Sequence, residues 1–371
     1  MAISVSTDLS TTVQALRQHL DDVILPLWMG RGFNQGLGLP YEALSGDGVP
    51  LPVTRYRAMA CARQLYVYSV ADTKLARAHA DRLFDALIKY FLNNDYGGWY
   101  YSVDANGRPL SKSHDLYTHA FVVFACAAYF EQSRRPQARQ AMLQTVEHIE
   151  SRFRRPDGNY HAKLSSDWEQ VTEGPAQNPI MHLTEAYIAA SQVAEPAWFA
   201  DTLRRIATNI NDNFLHAPTQ CVLESPLGSA NNQIEPGHQF EWYVLLNSAS
   251  SVFADQELTL ALPRGCEWAR QHGVAPLTSG VSASLYENGE RRDAVQRIWA
   301  QAEYARYLAV SGDLDSLSQQ LTQLQSRFLH TGGWYESVDE QGQLVRSDMP
   351  STTPYHLVTC YRSLSKFSTP E

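Results

Sequence analysis

Between Asp8 and Trp28 the apolar residues fall at Val13, Leu16, Leu20, Val23 and Ile24, the three- and four-residue spacing that lines one face of a helix. The same spacing predicts further helices over roughly 56–71, 73–93, 115–132, 135–153, 179–194, 197–214, 239–253, 256–272, 291–310, 313–328 and 351–366. That makes about twelve helices. The segments between them hold short alternating runs, WYYSV, NYHAKL, CVLE and WYESV, each beside a Gly- or Asp-rich turn. Alternation of this kind predicts short strands or hairpins.

The connecting segments repeat. GGWYYSVDANG at 97–107 returns as GGWYESVDEQG at 332–342, and weaker echoes stand at 156–164 (PDGNYHAKL) and 284–290 (SLYENGE). A period of about 50–60 residues fits these positions and divides the chain into about six units of two helices. Six helical hairpins closed into a ring make an (α/α)6 barrel, expected here as a single domain over 1–371. An open solenoid of helix pairs has the same periodicity. It is disfavoured because the units match poorly outside the loop motifs, and because aromatic and ionisable residues gather at fixed places rather than along one repeated face.

Composition narrows the function. Hydrophobic residues are 44% and charged residues 19% of the chain, enough for a large core and unlike a disordered protein. A net charge of −9 lacks the basic face that nucleic acid demands. No apolar run reaches the ~18 residues of a membrane span, and the start MAISVSTDLSTTV lacks the basic flank and apolar stretch of a secretion signal, so a cytoplasmic location is expected. Cys61, Cys126, Cys221, Cys266 and Cys360 are odd in number and widely spaced, which suits isolated buried thiols in a reducing compartment. The chain has no GxxxxGK[ST], no GxGxxG after a strand and no GxSxG, so nucleotide-driven and serine-hydrolase chemistry lose ground.

Three histidines stand in similar settings: His182 in NPIMHLTEA, His238 in EPGHQFEW and His356 in TTPYHL. Each lies near a predicted helix start, with Pro179, Pro236 or Pro354 in or next to the first turn. In a ring of hairpins such starts converge on one end of the central cavity, so imidazoles far apart in sequence can meet. Glu241 follows His238 by three residues and shares its helix face, where a carboxylate can raise the pKa of an imidazole and fix its tautomer. The pair could also hold a metal, but no HExxH or Cys-rich partner accompanies it; proton transfer without a metal is the expectation. Arg63, in the apolar helix ACARQLYVYSVA, needs a reason to be buried. Pairing with a carboxylate is one, and holding a substrate oxygen that gains charge is another; Arg55 and Arg57 are alternatives nearer the helix start. Trp99, Tyr117, Trp299 and Trp334 could supply flat faces for sugar C–H groups, and Asn178 could bind hydroxyls.

Taken in order, ARQLYVYS, GGWYYSVDANG, DLYTHAF, NPIMHLTEA, PGHQFEWYVLL, RIWAQAE and GGWYESVDEQG followed by PYHL resemble the N-acylglucosamine 2-epimerase superfamily over nearly the whole chain. The resemblance implies an (α/α)6 barrel and an active site of Arg63, His182, His238, Glu241 and His356, with His238 and His356 as the proton-transfer pair. It implies sugar contacts from Tyr117, Asn178, Trp299 and Trp334. No cofactor or metal is expected. The expected activity is interconversion of D-mannose and D-fructose through a cis-enediol, with His356 handling the C–H proton. A sugar 2-epimerase of the mannose, N-acylglucosamine or cellobiose type is the runner-up. The compact chain, and the segment RSDMPSTTPYHL without a further aromatic, favour a monosaccharide. A glycoside hydrolase on the same fold would need two carboxylic acids across the cleft, and a non-catalytic sugar-binding protein would not need three histidines. The protein is expected to act as a monomer or homodimer without nucleic-acid or membrane partners.

Overall fold

The structure, a computed structural model, describes residues 7–368. Among the described residues twelve helices are twelve residues or longer: α1 Thr7–His19, α2 Ala58–Val70, α3 Lys74–Phe91, α4 Leu116–Ser133, α5 Pro136–His148, α6 Gln177–Ala190, α7 Pro196–Phe214, α8 Pro236–Ser248, α9 Glu257–Gly273, α10 Ile298–Ser311, α11 Leu314–Phe328 and α12 Thr353–Leu364. The even-numbered helices form an inner ring in which each packs on the next and α12 returns to α2. The odd-numbered helices lie outside, and α1 covers α12, so the two ends of the chain complete the last pair. This is a closed (α/α)6 barrel rather than an open solenoid.

Sequence separates the two rings. In α4 every residue from Thr118 to Ala127 is buried, as expected of a helix covered on all sides. Outer α7 instead buries Phe199, Leu203, Ile206, Ala207, Ile210 and Phe214, one apolar stripe with a polar opposite face. All five cysteines are buried and free. No described helix is long and apolar enough to cross a membrane.

The two ends of the barrel differ. Inner helices lead to outer ones through short turns such as 71–73, 134–135 and 312–313. Outer helices lead to the next inner one through long segments that carry the strands. The repeated motif acts as a clasp in these segments. Tyr56 and Arg57 lie opposite Val103 and Ser102, and the Ala58 N–H at the start of α2 donates to the Tyr101 C=O at 3.1 Å. In the second copy Gln296 and Arg297 lie opposite Val338 and Ser337, and the Ile298 N–H at the start of α10 donates to the Glu336 C=O at 3.1 Å. Leu116 to Ala162 and Gln177 to Glu224 repeat the bond at 2.9 and 3.1 Å. Each loop thus satisfies a backbone donor that a helix start would leave unpaired. Gly98 of the motif has φ +72, and a Cβ there would stand 2.9 Å from His119 Nε2, so only glycine fits.

One expected helix begins late. Arg291–Arg297 is a strand paired with Ser282–Leu285 and Ser337–Val338, and α10 starts only at Ile298. Arg291, Arg292 and Asp293 are exposed, and the clasp engages the backbone that would otherwise have continued the helix.

Candidate active site

The N-terminal ends of the inner helices bring His182, His238 and His356 to one end of the barrel. With Arg63 of α2, Tyr117 of α4, Asn178 and Trp299 they line a cavity of about 160 Å³. The Trp299 ring lies between two of the imidazoles, 5.1 Å from His238 and 5.4 Å from His356 between centroids.

His356 rests on Glu303. Its Nδ1 is 2.7 Å from Glu303 Oε1, and Arg306 Nη1 donates to the other carboxylate oxygen at 2.6 Å. Burial alone would raise the Glu303 pKa, but Arg306 and His356 hold it below the ordinary value. The ionised carboxylate therefore accepts Nδ1–H and fixes the tautomer. Burial pushes the His356 pKa down to about 4 against the pull of Glu303, with Arg63 and His182 pushing the same way. At neutral pH His356 is an uncharged imidazole whose Nε2 lone pair is left for the cavity.

His238 sits differently. Its Nδ1 is 2.7 Å from Glu224 Oε1 and 3.7 Å from Glu235 Oε2. Burial opposes its charge, but Glu224 and Glu235 outweigh it and raise the pKa to about 10. Glu224 is itself held by Gln177, whose Nε2 donates to both carboxylate oxygens at 3.0 Å. The Gln177 carbonyl accepts from the Trp242 indole at 2.8 Å, which fixes the amide orientation. His238 is thus an imidazolium with Nε2–H available to the cavity.

Glu241 shares the helix face of His238 but contributes less to its raised pKa than Glu224 and Glu235, and it is Glu224 that holds Nδ1. Glu241 turns to His182, whose Nδ1 is 3.8 Å from Glu241 Oε1 and 3.3 Å from Glu185 Oε2. Neither Glu241 oxygen has a hydrogen-bond partner among the described residues. Burial, with Glu303 and Glu185 nearby, raises its pKa well above the ordinary value, so it is a neutral acid able to donate and accept one hydrogen bond at the cavity wall. Burial, then Arg63 and His238, keep His182 uncharged.

Arg63 pairs with no carboxylate among the described residues. It donates to Tyr117 Oη and to the Thr352 C=O at 3.3 Å, and lies 4.2 Å over the Phe121 ring. Its charge is left for the cavity. Arg57 is the arginine paired structurally, to Glu42 at 2.6 Å. Asn178 Oδ1 is buried without a partner among the described residues, as a hydroxyl-binding group would be. Trp334, expected to touch sugar, is instead fully buried against Trp28, with ring centroids 6.4 Å apart; its motif faces the core through the indole and the cavity through the next-but-one residue, Glu336. Trp99 is likewise core, donating to Thr145 Oγ1 at 2.8 Å.

Sequence reading missed Glu224, Glu235, Glu303, Arg297, Glu336 and Thr353. Glu303 had a signal, four residues after Trp299 and so on the same helix face. Glu224 and Glu336 share one place in the repeat, since each carbonyl receives the N–H of an inner-helix start. Three groups, His182–Glu185–Glu241, Glu224–Glu235–His238 and Glu241–Glu303–His356, each bring three possible ligand atoms within 4.8 Å of one another and could offer a divalent cation donors of suitable type. In each the imidazole Nδ1 is already hydrogen-bonded to a carboxylate, the pairing that proton transfer uses.

Known proteins share this architecture. The chain is 26% identical over 384 residues to a mannose-6-phosphate isomerase of Rhizobium meliloti (strain 1021), covering 95% of this chain and 96% of the relative. A cellobiose 2-epimerase of Bacteroides fragilis is 24% identical over 376 residues, 92% of this chain and 96% of that one. The solved cellobiose 2-epimerase from Bacillus thermoamylovorans B4167 matches in fold with a TM-score of 0.87 at 20% identity, over 95% of this chain and 98% of that one. The N-acylglucosamine 2-epimerase (GlcNAc 2-epimerase) model matches residues 40–360, a span that holds all six inner-helix starts and every cavity residue named above, and the chain belongs to that family.

Proposed function

We propose that the protein interconverts D-mannose and D-fructose, or a closely related aldose and ketose, through a cis-enediol. The observation that carries this reading is the pair of imidazoles facing one tryptophan, one neutral and one cationic at the same pH. Ring opening needs a proton on the ring oxygen and loss of one from O1. The His238 imidazolium supplies the first, and Glu235 beside it is placed to take the second. His356 Nε2 then removes the C2 proton of the open aldose, and Arg63 with Tyr117 stabilises the charge growing on O1 and O2. With its pKa held low, the His356 imidazolium is a strong acid and returns the proton at C1, while Glu235 gives its proton to O1 and the now neutral His238 takes the one on O2; the ketose forms and both groups regain their starting states. A cavity of about 160 Å³, below the usual range for drug-sized ligands, supports a monosaccharide. The isomerase among the relatives supports the reaction type.

A 2-epimerase shares the enediol and returns the proton to the opposite face of C2. In that second reading the protonated His238 is the group that would supply the proton. Incubation with mannose in deuterated water, followed by product analysis, tests both: fructose carrying deuterium at C1 marks the isomerase, and glucose carrying it at C2 marks the epimerase. Absence of fructose and glucose together with absence of carbon-bound deuterium in any sugar would exclude both and leave hydrolysis or binding.

A further inference from the structure

The cavity wall is made of buried and half-buried residues, with one exposed residue among them. Arg63, His238, His356, Trp299 and Glu336 are all 8% exposed or less, whereas the Arg297 side chain, which lines the same cavity, is 45% exposed. Arg297 stands at the mouth with its guanidinium carbon 5.8 Å from the Trp299 ring. For a sugar whose C1 and C2 lie between the imidazoles, this exposed cation is the side chain set to meet the outward end.

The internal repeat shows that the arrangement is not forced by the fold. Arg57 holds the equivalent position, facing Ser102 across the clasp as Arg297 faces Ser337. Arg57 is tied down: its Nε donates to Glu42 Oε2 at 2.6 Å and its backbone N–H to Oε1 of the same carboxylate at 2.7 Å. Arg297 gives only Nη2, to Glu336 Oε1 at 3.3 Å. Its Nε and Nη1 have no hydrogen-bond partner among the described residues. Glu336 is a rigid anchor: its second carboxylate oxygen accepts from Thr353 Oγ1 at 2.8 Å, and its backbone is bonded to Ile298 and Arg346 at 3.1 and 3.0 Å. The first copy has Tyr101 at this position. The second copy therefore carries a buried carboxylate that aims an arginine with free donors across the entrance.

We infer that Arg297, anchored by Glu336, is a specificity-determining residue that binds the hydroxyl at the end of the sugar remote from C1 and C2. The chemistry is that of an uncharged hydroxyl. Glu336 offsets the guanidinium charge, and Glu235 also lines the cavity, so a dianionic phosphate on the same carbon would meet carboxylates. The inference rests on the aldose-isomerase reading and extends it to the far end of the substrate.

The test compares D-mannose, D-lyxose (the same chain without the terminal hydroxymethyl group) and mannose 6-phosphate on wild type, Arg297→Met and Glu336→Gln. Arg297→Met should raise KM for mannose about tenfold, the scale of one lost hydrogen bond to a charged donor, with kcat nearly unchanged. The same substitution should change KM for lyxose by about twofold or less, because the hydroxyl it would lose is already absent. Glu336→Gln, which keeps the arginine but loosens its anchor, should fall between the two and serves if the methionine variant folds poorly. Wild type should turn over mannose 6-phosphate less efficiently than mannose. Equal losses on mannose and lyxose, a loss confined to kcat, or a preference for the phosphate would overturn the assignment. Wild type that neither converts mannose or lyxose nor exchanges their C2 hydrogens overturns the isomerase reading itself, and this inference with it.

Discussion

The seats of His238 and His356 are built alike and behave in opposite ways. Each imidazole is in the first turn of an inner helix, each has Nδ1 2.7 Å from a carboxylate, and each faces Trp299. Yet one pKa rises to about 10 and the other falls to about 4. The difference lies behind the hydrogen bond. Glu303 is already engaged by the Arg306 cation, so little of its negative charge is left to hold a proton on His356, and Arg63 faces the same ring. Glu224 is held by Gln177, a neutral amide, and Glu235 adds a second carboxylate. A hydrogen-bonded carboxylate therefore fixes a histidine's tautomer in both seats, while the uncompensated charge around it decides whether the ring is acid or base.

The largest effect should separate the two roles. His356→Asn should lower kcat/KM on the order of 10²–10⁴-fold and abolish exchange at C2 of the sugar, read by proton NMR in deuterated water. His238→Asn should slow turnover while exchange at C2 persists at a reduced rate. The opposite pattern would mean that the base and acid seats have been exchanged.

Glu224→Gln should erode the contrast without removing either ring. The alkaline limb of the kcat/KM profile, set near pH 10 by His238, should move toward neutrality by a unit or more, roughly the effect of one removed neighbouring charge. Stability should follow with opposite signs at the two seats. His238, raised above its ordinary 6.5, contributes stability that is complete below that value and is lost as pH rises through about 10. His356, lowered from 6.5 to about 4, makes stability fall as pH drops across that interval. Melting temperature against pH should show the alkaline loss weakened in Glu224→Gln and the acid loss unchanged. An alkaline limb that stays in place would remove Glu224 from control of His238.

A smaller effect belongs to Glu241, the acid hydrogen-bonded to neither imidazole. Its raised pKa means that the folded state keeps a proton the unfolded chain releases above about 4.5, so wild-type stability declines as pH rises from there. Glutamine does not titrate. Glu241→Gln should therefore gain on wild type as pH rises, seen as urea midpoints that diverge between pH 5 and pH 8. A difference that is the same at both pH values would mean that Glu241 is ionised in the folded protein. The smallest effect is expected from chelation, which should leave turnover nearly unchanged; activity lost and restored only by a divalent cation would turn one of the carboxylate–histidine groups into a metal site.

The fold was largely legible because amphipathic stripes and a repeated loop are local signals. The strand at Arg291–Arg297 was missed because its helix-like apolar spacing yields to pairing with a loop some forty residues downstream. The three histidines and Arg63 could be picked out as candidates from their helix-start and apolar settings. Their partners could not: Glu224 reaches His238 across a seam between two units, and only a three-dimensional register connects them. Glu241 was given the wrong neighbour because a shared helix face fixes direction only within a broad arc, and the side chain turns down toward His182. Trp334 misled because its motif serves the core and the cavity at once, two residues apart.

The barrel's final seam joins its most distant parts. Arg63 and Gln64 donate to the carbonyls of Thr352 and Ser351, contacts between residues 289 and 287 positions apart. During synthesis the arginine emerges early and the proposed base, His356, in the last turns of the chain. A nascent polypeptide therefore holds Arg63, His182 and His238 before His356 is made, with no catalytic centre to close until then. Contacts of such sequence separation are also the slowest to form, so ring closure and the onset of activity should coincide as the last step of folding.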